Sequence, residues 1–251
     1  MKAIATLTLL DALRNRLLWL VVLIALLGFA FSLFMQGISI AESRQIQAGT
    51  LAMICRTGAV FTMCTFVVSG MLRECQDKGL EFFLALPLGR TSFFFGKLLG
   101  YTGCSLMLAM LFCTPLFRGN SPEAASMWGT SLFLELILMS SVSLFFSISL
   151  TQMPLALAAV AGFYLLSRSM GTIVLIMKGP LSGHGLLEAT ADQVISFVGF
   201  FMPRLDEFTQ TAWLVYPGAQ WRELFPIFFQ TAVYLVLVSS AALYDFHRRE
   251  I

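Results

Sequence analysis

Six long apolar runs dominate this 251-residue sequence, and each is long enough to cross a lipid bilayer. A helix needs about 20 apolar residues to span the hydrocarbon core, since each residue adds about 1.5 Å along the axis. Charged residues make up only 12% of the chain, about half the share typical of a soluble domain. The sequence therefore predicts one all-α integral membrane domain over residues 1–251, with six transmembrane helices. The predicted spans cover residues 17–35, 48–72, 93–117, 127–149, 154–177 and 223–244.

Lysine and arginine are distributed unequally between the loops on the two sides of these spans. Nine fall on the side that holds both termini, namely Lys2, Arg14, Arg16, Arg73, Lys78, Arg90, Lys97, Arg248 and Arg249. Five fall on the opposite side, namely Arg44, Arg118, Lys178, Arg204 and Arg222. Because positively charged loops stay in the cytoplasm, both termini are predicted to be cytoplasmic. The net charge of +2 is too small to indicate a nucleic-acid partner.

Two segments outside the spans carry apolar stripes. Residues 3–16 are predicted to form an interfacial helix through Ile4, Leu7, Leu10 and Leu13, although a polar extension of the first span fits the same residues. The external segment 178–222 is predicted to hold one or two interfacial helices that end before Pro203. Trp213, Tyr216 and Trp221 would then lie at headgroup level.

The stretch "RECQDKGLEFFLALPLGRTSFFFGKLLG", residues 73–100, places charges between the second and third spans. Glu74, Asp77, Lys78 and Glu81 lie within about two helical turns, followed by the apolar "FFLAL". Pro87 and Gly89 would end a short helix there, because proline lacks a backbone donor and glycine permits a turn. Such a helix could dock a cytoplasmic partner. A solvated loop whose charges only set the topology fits equally well.

This stretch also resembles the signature of ABC type-2 exporter permeases. The matching positions are Gly79, Leu80, Leu84, Pro87, Arg90, Gly96 and Lys97. The N-terminal "LTLLDALRNRLLWL" is similar to the connecting helix of that family. "FFMPRLDEFTQTAWL" resembles the external segment of the subgroup that includes the permeases of nitrous-oxide reductase maturation.

The resemblance implies a non-catalytic transport subunit of the bacterial inner membrane, working as a homodimer with two separate ABC ATPase subunits. The ATPases would bind ATP and Mg, and this chain would bind no cofactor itself. A periplasmic accessory protein is a further candidate partner, besides membrane lipid. The short cytoplasmic coupling helix would contact the ATPase through Glu74, Asp77, Lys78, Gly79, Leu80, Glu81, Phe83, Leu84, Pro87 and Arg90. The second contact would be Thr151, Gln152 and Met153.

The sequence contains no phosphate-binding loop of its own, which fits the need for a partner motor. Such a loop requires the pattern G-x-x-x-x-G-K-[ST]. The nearest approach, "GRTSFFFGKL", has the wrong glycine spacing and Leu98 in place of a hydroxyl. Two alternatives stay open at this point: a membrane-embedded lipid-modifying enzyme and an assembly protein that transports nothing.

Three charges fall inside predicted spans: Arg56, Glu135 and Arg168. Each lies roughly 12 Å below the external boundary, so the three could meet in one layer. A charge at the bilayer centre costs roughly 2.5–3.5 kcal/mol, and such residues usually pair or line a cavity. We expect Glu135 to pair with Arg168 or Arg56 and to fix the helix packing. A charged lining of the substrate path is the alternative.

Small and soft residues mark spans two and three. Cys55, Cys64, Cys104 and Cys113, with Met53, Met63, Met107 and Met110, are ordinary core fillers, although soft sulfur ligands would also suit copper(I). No metal site is therefore assigned. Gly96, Gly100 and Gly103 predict a close helix contact within the subunit or, less favoured, a dimer seam. Lys97 is expected to snorkel to the cytoplasmic surface.

Overall fold

The computed structural model describes residues 2–14, 17–38, 43–76, 90–118, 120–150, 152–177, 199, 202–216, 218 and 220–248. Its helices are α1 (Lys2–Arg14), α2 (Leu17–Ile38), α3 (Ser43–Gln76), α4 (Arg90–Cys113), α5 (Pro122–Ser149), α6 (Met153–Met177), α7 (Ala212–Val215) and α8 (Leu224–Arg248). Short 3-10 turns cover Thr114–Arg118, Leu205–Glu207 and Trp221–Glu223. No strand occurs in these ranges, so the all-α prediction is confirmed for the described part of the chain.

Five of these helical stretches are long and apolar enough to cross a membrane, as expected of a multi-pass membrane protein. They are Gln45–Glu74, Thr91–Phe117, Pro122–Ser149, Met153–Ile176 and Trp221–Arg248. Each overlaps one of the predicted spans from the second to the sixth. α2 overlaps the first predicted span, and its 22 residues contain no charged side chain.

The central helix of the bundle is α5, which packs against α3, α4, α6 and α8. It begins at Ser121, whose hydroxyl accepts a hydrogen bond from the Ala124 N–H, and Pro122 fits the first helical position because it needs no donor there. Its serines 140, 141 and 147 are buried, and each hydroxyl donates to a carbonyl of the same helix. Small residues that satisfy their own polar groups let neighbouring helices approach closely.

The two ends of the bundle can be told apart by their contacts. At the "Glu74 end", Glu74 pairs with Lys97, Ser149 donates to Asp245 at 2.5 Å, and the end of α8 meets the start of α4. The "Ser121 end" holds the start of α5 and the beginning of α8. Successive long helices from α3 to α6 therefore run in alternating directions.

The three glycines of α4 form the seat for α1. A Cβ on Gly100 would lie 2.7 Å from the Thr8 Cβ, and one on Gly103 would lie 2.6 Å from the Leu9 Cδ1. The predicted close contact within the subunit is present, but its partner is α1 rather than another span. Ile4 and Thr8 are buried against α4, whereas the predicted stripe residues Leu7 and Leu10 are half exposed. Only glycine lets α1 lie this close to α4.

The segment 202–216, which contains α7, packs into the bundle instead of lying wholly outside it. Leu205, Phe208 and Thr209 are fully buried. Trp213 is only 4% exposed, and its indole N–H donates to Glu223 Oε2 at 2.5 Å, so its side chain packs within the protein, and the headgroup level predicted for it stays a prediction. Tyr216 and Trp221 are exposed, as that prediction requires. The interfacial helices predicted between 178 and 198 lie outside the described residues.

Candidate functional site

The three intramembrane charges meet in a buried polar cluster, which we define as Arg56, Ser131, Glu135, Tyr164, Arg168 and Thr209. Four parts of the chain contribute: α3 brings Arg56, α5 brings Ser131 and Glu135, and α6 brings Tyr164 and Arg168. The segment 202–216 brings Thr209. We call segment 202–216 the loop segment. The cluster joins it to α3, α5 and α6, which lie far apart in the sequence.

Glu135 is the fully buried anion of the cluster. Its Oε2 accepts a hydrogen bond from the Thr209 hydroxyl at 2.8 Å, and its Oε1 lies 3.8 Å from Arg168 Nη1. The Tyr164 hydroxyl is buried beside the same carboxylate. The predicted pairing of Glu135 with Arg168 is therefore observed, while a role of these charges in transport stays a prediction.

Both arginines also hold the backbone of the loop segment. Arg168 Nη1 donates to the carbonyl of Leu205, and to that of Phe208 at 3.0 Å. Arg56 Nη1 donates to the carbonyl of Thr209 at 3.4 Å. Non-helical backbone at membrane depth must be satisfied by protein, because lipid offers no hydrogen bonds. The Nη1 groups of the two arginines supply those bonds, whereas Arg56 Nε is buried without a hydrogen-bond partner.

Thr209 adopts a backbone conformation that side chains with a branched Cβ rarely take. Its φ is +43°, in the left-handed region. Such strain costs on the order of 1–3 kcal/mol and persists only where the surroundings hold it in place. Here the Thr209 N–H donates to Ser131 Oγ at 2.9 Å, its hydroxyl to Glu135 and its carbonyl accepts from Arg56. Every polar group of this one residue is thus bonded to a different side chain.

Asp206 brings a second carboxylate close to Arg168. A Cβ added at Gly171 would lie 2.0 Å from Asp206 Oδ2, so the loop rests directly on the backbone of α6. Two arginines and two carboxylates balance in charge. The arrangement holds three helices and a loop together, in keeping with the rule that charges inside a membrane protein pair with one another.

The predicted coupling residues are described only in part. Glu74 lies near the end of α3, and its carboxylate pairs with Lys97 of α4. Lys97 is 5% exposed, and its Nζ lies 6.0 Å from the centre of the Phe93 ring. The snorkelling prediction is therefore wrong, because a carboxylate of the neighbouring helix keeps the ammonium inside the protein.

The rest of the predicted coupling helix falls outside the described part of the chain, namely Asp77, Lys78, Gly79, Leu80, Glu81, Phe83, Leu84 and Pro87. Arg90 is the first residue of α4, and its side chain is not among those described. Of the second predicted contact, Thr151 lies outside the described residues, while Gln152 and Met153 are exposed at the Glu74 end.

The four described cysteines of α3 and α4 are buried, and Cys55 of α3 lies near Cys113 of α4. Cys64 lies beside Ser143, and the Cys113 thiol donates to the Ala125 carbonyl at 3.1 Å. Met53, Met107 and Met110 are exposed and do not join them. Within the described ranges, no group of three or more His, Cys, Asp or Glu could hold a metal ion.

Sequence reasoning missed Ser131, Tyr164 and Thr209. Each is a hydroxyl residue without a charge, and hydroxyls are common in apolar helices and loops. Only the spacing Ser131 to Glu135 and Tyr164 to Arg168, four residues in each case, signals that they share a helix face with a charge.

Neither the family models nor the curated proteins compared with the chain gave a match.

Proposed function

We propose that the chain is the membrane-spanning subunit of an ATP-driven exporter, coupling ATP hydrolysis by a separate ATPase to substrate movement. The observation that supports this most is the partly buried Glu74–Lys97 ion pair. It joins α3 and α4 next to residues 77–89, which connect them in the sequence. The partners in this proposal are a second copy of the chain and two ABC ATPase subunits.

The length of α3 and its contact with α4 indicate how an ATPase would move the two helices. α3 has 34 residues and is about 50 Å long, whereas the hydrocarbon core is about 30 Å thick. α3 therefore reaches beyond the core. An ATPase that closes on ATP and pushes on the segment after Gln76 would move α3 and α4 together, since the ion pair ties them.

The same junction would pass the movement on to other helices. Phe93 of α4 stacks on Phe246 of α8, with ring centres 6.2 Å apart. The preceding residue of the chain, Asp245, accepts a hydrogen bond from Ser149 at the end of α5. Force applied at the Glu74 end thus has a direct route to the central helix and would tilt the spans around a path at the subunit interface.

The proposal also needs six spans and a cytoplasmic Glu74 end. α2 supplies the sixth span, since its 22 residues can cross the core and carry no charge. An even number of spans places both termini on one side. The excess of lysine and arginine on that side makes it the cytoplasmic side of a bacterial inner membrane.

The test is co-purification of the tagged chain with its ATPase from detergent. We expect an ATPase to accompany the unmodified chain and to be lost from the Glu81→Lys and Leu84→Asp variants. Glu123→Lys is the matched control, because it makes the same charge change at an exposed position of the Ser121 end. If no ATPase accompanies any of these chains, the exporter proposal fails. The hypotheses of a lipid-modifying enzyme and of an assembly protein would then have to be tested.

A further inference from the structure

A groove of about 410 Å³ lies between α4 and α5, in the half of the bundle toward the Ser121 end. Its floor is formed by small or compact buried residues, such as Ala109 and Cys113. Its rim is formed by exposed apolar side chains, including Leu106, Met110 and Phe117. Both helices belong to stretches that can cross a membrane, so the open side of the groove faces lipid hydrocarbon.

The polar atoms that line the groove are all bonded to the protein. The hydroxyls of Thr114, Ser126 and Thr130 donate to carbonyls of their own helical turns at 2.7–2.8 Å. The Cys113 thiol donates to the Ala125 carbonyl at 3.1 Å. No donor on these side chains is left for a ligand. The groove therefore offers packing contacts to an apolar chain and no recognition of a polar group.

The dimensions of the groove match one leaflet of a bilayer. Along α4 and the 3-10 turn that follows it, the lining extends from Leu106 to Phe117, a rise of about 18 Å. Half of a hydrocarbon core about 30 Å thick is about 15 Å. Its volume lies within the range of about 300–1,000 Å³ found for small-molecule sites. One end of the groove is close to the predicted headgroup level, and the other reaches toward mid-membrane.

We propose that this groove is a binding site for one acyl chain of a bilayer phospholipid. The driving force is packing rather than transfer from water, because an unfilled recess leaves its lining without partner atoms. The inference does not depend on the proposed exporter function.

The first experiment measures phospholipid retained after detergent exchange, by native mass spectrometry of the full chain purified from phosphatidylethanolamine–phosphatidylglycerol vesicles. We expect one phospholipid per chain in the unmodified protein and almost none in Thr130→Phe, whose ring would fill the groove. Thr57→Phe is the matched control, since Thr57 is also exposed on a span and also bonds a carbonyl of its own helix. Equal retention by both variants would overturn the proposal.

The second experiment uses the unmodified chain, so it does not depend on how a variant folds. A phospholipid with a photoreactive group in mid-chain is incorporated into the same vesicles and activated. We expect its adducts to concentrate in residues 106–117 and 126–133 relative to the exposed aromatic face of α8, for example Phe225 and Phe229. Adducts spread evenly over exposed faces, or crosslinks between two copies at the groove, would each overturn the inference.

Discussion

Thr209 shows at the scale of one residue how the buried polar cluster is built. Its strained backbone brings the N–H, the hydroxyl and the carbonyl within reach of Ser131, Glu135 and Arg56. Hydrogen bonds to a charged group contribute about 1.5–3 kcal/mol, roughly twice a neutral bond. The bond from the Thr209 hydroxyl to Glu135 is therefore the part of this arrangement that a single substitution can remove most cleanly.

Thr209→Val should lower the free energy of unfolding by about 1.5–3 kcal/mol, because it keeps the shape of the side chain and leaves Glu135 Oε2 without its donor. The measurement is unfolding of the purified chain in mixed micelles. Thr231→Val is the control, since Thr231 is equally buried and its hydroxyl bonds only the Ile227 carbonyl of its own helix. Equal effects of the two substitutions would contradict a special role for the Thr209–Glu135 bond.

The Glu74–Lys97 pair calls for a different test, because both of its side chains are largely buried. Removing one partner leaves the other charge buried and costs about 3–5 kcal/mol, whereas replacing both can be close to neutral. Glu74→Gln and Lys97→Met should therefore each destabilise the chain more than the double variant does. The same unfolding assay checks this. Costs that simply add in the double variant would show that the two charges do not interact.

Individual residues also show which contacts can be predicted from the sequence and which cannot. Arg56, Glu135 and Arg168 were expected to meet because a charge in lipid needs a partner, and that rule does not depend on detail. The surface position expected for Lys97 was wrong because its partner, Glu74, comes from another helix. The role of Thr209 could not be predicted, since nothing in the sequence around it indicates that this segment enters the bundle.

Among the helices, the pair of α1 and α4 depends most directly on glycine. Gly100→Ala would bring a methyl group 2.7 Å from the Thr8 Cβ, which is backbone-proximal and cannot rotate away. Overpacking of this kind costs about 1–3 kcal/mol and should detach α1 from α4. Trypsin should then cleave after Arg14, an exposed residue at the end of α1, at least several-fold faster.

Gly162→Ala provides the comparison for that prediction. Gly162 lies in the interior of α6, and nothing lies within 4 Å of a Cβ added there. Alanine favours a helix over glycine by up to about 1 kcal/mol, so this variant should be as stable as the unmodified chain or more so. Faster cleavage after Arg14 in both variants would mean that helix propensity, rather than the α1–α4 contact, decides the result.

The positions of the helices were more predictable from the sequence than the contacts between them. The apolar runs placed the second to sixth spans well, because membrane-length hydrophobicity is a property of the sequence alone. The glycine spacing on α4 predicted a close contact but not α1 as its partner, since small residues do not encode what approaches them. The burial of segment 202–216 depends on arginines of α3 and α6, and no local pattern could indicate it.

For the whole molecule, the exporter proposal depends on which end of the bundle faces the cytoplasm. We expect a membrane-impermeant maleimide to label Glu123→Cys in intact cells and to leave Arg73→Cys unlabelled. Both positions are exposed, they lie at opposite ends, and the four described native cysteines of α3 and α4 are buried. The positive charges at the Glu74 end are the physical reason, because they resist translocation across the membrane.

The opposite labelling pattern would place the segment after Gln76 outside the cell, where no ATP is available to a partner motor. The exporter proposal would then fail even if the packing around Glu74 and Lys97 is correct. Labelling of Arg73→Cys after the cells are opened, in a chain that also carries Cys75→Ser, is the control that position 73 is reactive. A cytoplasmic Arg73 with an external Glu123 would leave the Glu74–Lys97 junction on the side where ATP-driven force can reach it, and would make the co-purification experiment the next test.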